Sequence, residues 1–101
     1  MIKGIKEYIK ENFSFLDKEA QERIIKEAIN SLRKNISNLE EVLKKDDKEA
    51  ILKATHNLKG VLLNAGIKAD KFEEENLKNL SLDEIKEKLR KALKDLDPLK
   101  V

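Results

Sequence analysis

Residues 46–66 read DDKEAILKATHNLKGVLLNAG, and their apolar spacing decides the fold class. Ile51, Ala54, Leu58, Val61, Leu62 and Ala65 recur at steps of three and four, the period of a helix with one buried face. Asp46 and Glu49 have the spacing of a capping box, with Asp in place of the usual Ser or Thr, so the helix is expected to start there. Gly66 is placed to stop it, in a left-handed backbone conformation.

The same rhythm extends outward in both directions. Upstream, Ile25, Ala28, Leu32, Ile36, Leu39 and Leu43 predict a helix from about Asp17 to Lys44, some ~42 Å long at the α-helical rise, with Ser14 or Asp17 as its cap. Ile2, Ile5, Ile9 and Phe13 predict a short amphipathic helix from Ile2 to about Asn12. Downstream, Lys68–Asn79 carries Ala69, Phe72 and Leu77, with Leu80 just beyond it, and reads as a short helix with a thin apolar face. Its acidic run, Glu73 to Glu75, reads as a solvated face with no catalytic role, because contiguous residues point in different directions around a helix. Ser81 and Glu84 form a capping box with Leu80 and Ile85 as its hydrophobic staple. The last helix follows through Leu82, Ile85, Leu89, Ala92, Leu93 and Leu96, and Pro98 ends it. The expected fold is all-α: an antiparallel four-helix bundle with a short additional N-terminal helix, one domain over residues 1–101.

Composition narrows the function. Charged residues make up 42 % and hydrophobic residues 40 % of the 101 positions, which is polar yet apolar enough for a core. The 22 basic and 20 acidic residues leave a net charge of +2, and only Arg23, Arg33 and Arg90 are arginines, so no nucleic-acid partner is expected. No run approaches the roughly 20 apolar residues of a membrane span, and the first residues lack the apolar block of a signal peptide. A cytoplasmic location is expected. Cys is absent and His56 is the single His, which excludes thiolate chemistry and a His-based metal site.

His56 falls about 170° from the centre of the core stripe on a helical wheel, so it is expected to face solvent. Its neighbours on that outer face are Leu52, Lys59, Gly60 and Leu63. Two Leu side chains stand where a surface helix prefers charge. A Gly inside the helix costs about 1 kcal/mol relative to Ala. Each oddity has a use if another protein must approach the imidazole. Gly60 clears the path, Leu52 and Leu63 offer apolar contact, and Lys59 brings an ammonium near a group attached to His56. A neutral imidazole nitrogen is a competent nucleophile near pH 7. The arrangement therefore suits phosphoryl transfer, which depends on access and alignment more than on elaborate local machinery.

At these residues the sequence resembles histidine-containing phosphotransfer (HPt) domains. That family's pattern is His, any residue, Leu or Ile, Lys, Gly, and a further Gly ten residues after the His. His56-Asn57-Leu58-Lys59-Gly60, with Asn64 and then Gly66, fits it. Thr55, where the family often has Ala, and Val61, where a small residue is common, depart from it, as do Asp70 and Glu73, which stand where Leu is frequent. The resemblance implies that His56 accepts the phosphoryl group, that Lys59 stabilises it, and that Gly60 leaves room for a response-regulator receiver domain; Leu52, Leu63 and Asn64 join Gly60 as the expected docking residues. The phosphorylated Asp and its Mg²⁺ would come from that receiver; no cofactor is expected on this chain. The protein would be a phosphocarrier in a multistep phosphorelay rather than an enzyme with turnover of its own.

Two other readings stay open on the residues. One is the phosphate-accepting domain of a chemotaxis-type histidine kinase, which shares the motif but is charged by a kinase ATP domain. The other is a helical interaction module without phosphoryl chemistry. A monomer is expected, because a bundle accounts for the long second stripe without a coiled-coil partner.

Overall fold

The computed structural model describes residues 2–96. Over that span the fold is all-helical, with four α-helices and no strand. They are α1 (Ile2–Asn12), α2 (Lys18–Val42), α3 (Lys48–Asn64) and α4 (Leu82–Lys94). Pro98, expected to end the last helix, lies outside the described residues; α4 already closes at Lys94, with Asp95 as its cap.

Local chemistry sets these boundaries. The Asp17 carboxylate caps α2, accepting from the Ala20 N–H at 2.8 Å. α3 starts one residue later than its sequence suggests. Asp47, not Asp46, is the cap and accepts from the Ala50 N–H at 3.1 Å. Both Asp residues could serve an N-terminal donor, but Asp46 instead meets the Lys86 ammonium of α4 at 2.7 Å. α4 opens on the full capping box: the Ser81 hydroxyl accepts from the Glu84 N–H, and the Glu84 carboxylate accepts from the Ser81 N–H, both at 3.3 Å.

Gly66 ends α3 with φ +77°. The Ile67 N–H donates to the Leu62 carbonyl at 2.9 Å and the Gly66 N–H to the Leu63 carbonyl at 3.1 Å, the bond pair of a Schellman stop. Gly66 has a second task that its sequence position hid. A Cβ there would collide with the Tyr8 ring of α1, so the bare backbone lets α1 close on the end of α3.

The segment 68–79 is not the short α-helix that its composition predicts. It forms two 3₁₀ turns, Asp70–Phe72 and Glu74–Asn76, separated by Glu73 in an extended conformation at φ −77° and ψ 118°. The physical reason lies in Phe72 and Leu77. Five residues apart, they would sit about 140° from each other around a continuous helix, so one of them would face water. The break at Glu73 resets the phase, and both side chains are only 2 % exposed. Burying two large apolar groups outweighs the few backbone bonds of one short helix.

The core joins all four helices. Ile5 and Ile9 of α1, Leu32, Ile36 and Leu39 of α2, Ile51, Leu58 and Leu62 of α3, and Ile85 and Leu89 of α4 are each at most 1 % exposed. Each such side chain contributes roughly 1.5–3 kcal/mol through removal from water. α2 packs along α3 and α1 against α2. α2 spans about 37 Å at the α-helical rise, most of the 47 Å long axis of the molecule. α4 is tied back through Arg90, which donates to the Leu43 carbonyl at 3.3 Å, and through the Lys86–Asp46 pair.

Candidate functional site

α3 presents two different faces. Ile51, Ala54, Leu58, Leu62 and Ala65 are buried as expected, and Val61 packs half-buried against them. Thr55 is also fully buried. Its hydroxyl donates to the Ile51 carbonyl at 2.7 Å, which satisfies the polar group inside the helix and leaves the next residue, His56, turned outward.

The His56 side chain is 67 % exposed, and its Nδ1 lies 2.5 Å from Oε1 of Glu74. A carboxylate only accepts, so Nδ1 carries the proton and donates. In the neutral ring the lone pair is then on Nε2, which meets no other group among the described residues. One helical turn further on, the Lys59 ammonium pairs with Oε2 of Glu73 at 2.9 Å. The Lys59 side chain is 26 % exposed and that of Glu73 39 %, so this pair is screened by water less than the exposed pairs elsewhere on the surface.

The two carboxylates were read from the sequence as a solvated face without a role. The structure places them more closely: Glu74 and Glu73, consecutive residues, pair with His56 and Lys59, three positions apart on α3. Glu73 lies in the extended break between the two 3₁₀ turns and Glu74 opens the second turn, so the two side chains leave the backbone from different local conformations. The buried Phe72 holds the segment down beside them. The chain then returns along α3 towards its start, where Lys48 Nζ donates to the Lys78 carbonyl at 2.7 Å and the Leu80 carbonyl at 3.2 Å. The signal in the sequence was the five-residue gap between Phe72 and Leu77, which no single helix can bury.

The remaining candidates divide. Gly60 is exposed, and a Cβ built there meets nothing within 4 Å, so the backbone beside His56 and Lys59 is open. Leu63, one turn beyond Gly60 on the same face, is 51 % exposed. Asn64 is exposed at the last position of α3. Leu52 differs from expectation. It is half-buried and packs against the core, one turn from Lys48, where residues 78–80 return along the helix. The apolar contact on the outer face is therefore Leu63 rather than a Leu pair.

Among the described residues, no group of three or more His, Cys, Asp and Glu side chains is placed to hold a metal ion. Among the same residues, no helix is long and apolar enough to cross a membrane. Compared with models of protein families, with curated proteins and with solved structures, the chain matches none.

Proposed function

We propose that this protein is a histidine phosphotransfer protein of a multistep phosphorelay, accepting a phosphoryl group on Nε2 of His56 and passing it to a receiver domain. We read it as a cytoplasmic monomer whose helices form an antiparallel bundle, a layout that the short α2–α3 connection favours. The observation that carries the reading is a largely exposed imidazole with Nδ1 tied to Glu74, leaving Nε2 as the nitrogen without a hydrogen-bond partner among the described residues, on a face that Gly60 leaves bare.

The geometry suits the reaction in three ways. The Glu74 bond selects the tautomer whose nucleophilic lone pair faces outward and limits the ring's rotation, so less orientational freedom is lost on docking. A visiting aspartyl phosphate would be attacked at phosphorus by Nε2. The new N–P bond forms as the P–O bond breaks, and its electron pair returns to the partner's carboxylate. The open backbone at Gly60 and the exposed Leu63 give the visitor room and apolar contact beside the reacting nitrogen. The Mg²⁺ that neutralises charge in such transfers would be the receiver's.

The test is incubation with phosphorylated receiver domains, and separately with kinase ATP domains and ATP, followed by detection of acid-labile phosphate. Uptake by the unaltered protein and none by His56→Gln, with helix content equal by circular dichroism, is the expected result. Charging by a kinase ATP domain alone would reassign the chain to the accepting domain of a chemotaxis-type kinase. Stable binding of a receiver without any phosphate on His56 would leave a helical interaction module instead.

A further inference from the structure

We propose that Glu73 regulates phosphoryl acceptance by holding the Lys59 ammonium in reserve, so that the lysine serves the incoming phosphoryl group only after the Glu73 pair opens. This deepens the phosphotransfer reading and rests on it. Three observations support it. Lys59 is a basic side chain one turn beyond His56, beside the open backbone of Gly60, and its ammonium is already engaged by Glu73 at 2.9 Å. Glu73 is the extended hinge between two 3₁₀ turns, a connection with few backbone bonds to lose on moving. Glu74, its neighbour in sequence, holds the reacting ring itself, so both carboxylates of the clip lie where a phosphoryl group would arrive.

The electrostatics follow from charge count. At rest, the Glu73–Lys59 pair is neutral and Glu74 adds one negative charge beside a neutral imidazole. A phosphoryl group on Nε2 carries about 1.5 to 2 negative charges on its oxygens, while the ring, its Nδ1–H still donating to Glu74, becomes cationic. Glu74 then faces the ring, and with Lys59 still bound to Glu73 the phosphoryl oxygens lack the Lys59 ammonium. With Lys59 swung to the phosphoryl oxygens, Glu73 loses its counter-ion and is displaced outward. The cost of breaking the Glu73–Lys59 pair thus opposes phosphorylation, and its removal should favour it. Glu73 acts through Lys59 and is a positioning residue; it does not contact the reacting atoms.

The experiment uses phosphoramidate, a small donor that needs no partner protein. Nε2 attacks its phosphorus, the P–N bond breaks, and ammonia leaves with the bonding pair. The first-order rate of His56 phosphorylation is followed by ³¹P nuclear magnetic resonance on the full chain. Glu73→Gln should raise that rate about three- to fivefold, the range expected from one partly exposed ion pair. Glu75→Gln removes the same charge from a residue that pairs with Lys78 at 3.0 Å, and should leave the rate unchanged. Lys59→Ala should lower it, and adding Glu73→Gln to Lys59→Ala should give no further gain. An unchanged or slower Glu73→Gln, an equal gain from Glu75→Gln, or a gain that persists without Lys59 would each overturn the proposal while leaving His56 as the acceptor. Absence of phosphate on His56 in the unaltered protein would overturn the phosphotransfer reading itself, and this proposal with it.

Discussion

Replacing each of the two glycines Gly60 and Gly66 by alanine should move stability in opposite directions, although they lie six residues apart in one stretch. At Gly60 the backbone is helical and the space around an added methyl is empty. Ala there gains helix propensity and restricts the unfolded chain, so Gly60→Ala should stabilise by about 0.5–1 kcal/mol. That is a rise of roughly 2–8 °C in Tm for a chain of this size. At Gly66 φ is +77° and the methyl would run into the Tyr8 ring. The left-handed conformation costs a non-glycine residue about 1–2 kcal/mol, and forcing the ring aside adds roughly 1–3 kcal/mol. Gly66→Ala should therefore lose about 2–5 kcal/mol in total. Urea unfolding followed by circular dichroism measures both. The two costs at Gly66 separate in a Tyr8→Ala background, where only the backbone part should survive and the double variant should be less destabilised than the sum of the singles. A Gly66→Ala variant within about 0.5 kcal/mol of the parent, or strict additivity with Tyr8→Ala, would refute the close approach of α1 to the end of α3.

Other outcomes follow from the same contacts. Gly60→Gln should slow transfer from a phosphorylated receiver while leaving phosphorylation by phosphoramidate intact, because the added side chain obstructs only a protein-sized donor; equal slowing with both donors would count against the clearance role. Glu74→Gln keeps the size of the group but can donate as well as accept, so it no longer fixes the imidazole tautomer; initial rates of His56 phosphorylation should fall about tenfold. Acid should weaken the fold through three exposed carboxyls. The hydrogen bond and charge of Lys86 hold Asp46 below its ordinary 3.8, those of Lys71 do the same for Asp95, and bonds to Ser81 hold Glu84 below its ordinary 4.5. Their folded-state values are depressed, so the stability they add is present above the ordinary carboxylate range and is lost as pH falls from that range through the lower folded values. Unfolding free energy measured between pH 6 and pH 3 should drop less in a variant carrying Asp46→Asn, Asp95→Asn and Glu84→Gln.

Much of this was legible in the residues, for reasons that are local. The core face of α3 followed from spacing alone, because a single repeating stripe has one way to be buried. The Ser81–Glu84 box and the Gly66 stop followed because each motif is complete within a few residues. The exposure of His56 followed from its phase against Leu58. What the sequence did not reveal depended on contacts between distant segments. Asp46 and Asp47 are equivalent as local caps, and only Lys86, forty positions on, separates them. Leu52 shares the phase of His56, yet it is half-buried against the core in the part of α3 along which residues 78–80 return. Tyr8 gives no sign in α1 that its ring needs a glycine beside it.

The segment 70–77 shows how a defect in the apolar pattern can build a site. A regular heptad-like run there would have given one more helix, with Glu73, Glu74 and Glu75 spread around its outer surface. The misplaced interval between Phe72 and Leu77 forbids that, because both apolar side chains must enter the core for the segment to be held. The chain answers with an extended residue between two tight turns, so that its side chain and the next one leave the backbone from different local conformations. Those two side chains are carboxylates, and they land on the His and the Lys of the motif. The same interval thus removes a helix and supplies two contacts to the candidate site. The position of the carboxylates depends on Phe72 and Leu77 remaining buried, so the setting of the His56 ring is coupled to the packing beneath it. Loosening that packing by truncating Phe72 should release Glu73 and Glu74 together, giving a freer Lys59 but a worse-oriented imidazole, two effects that the single carboxylate variants keep apart.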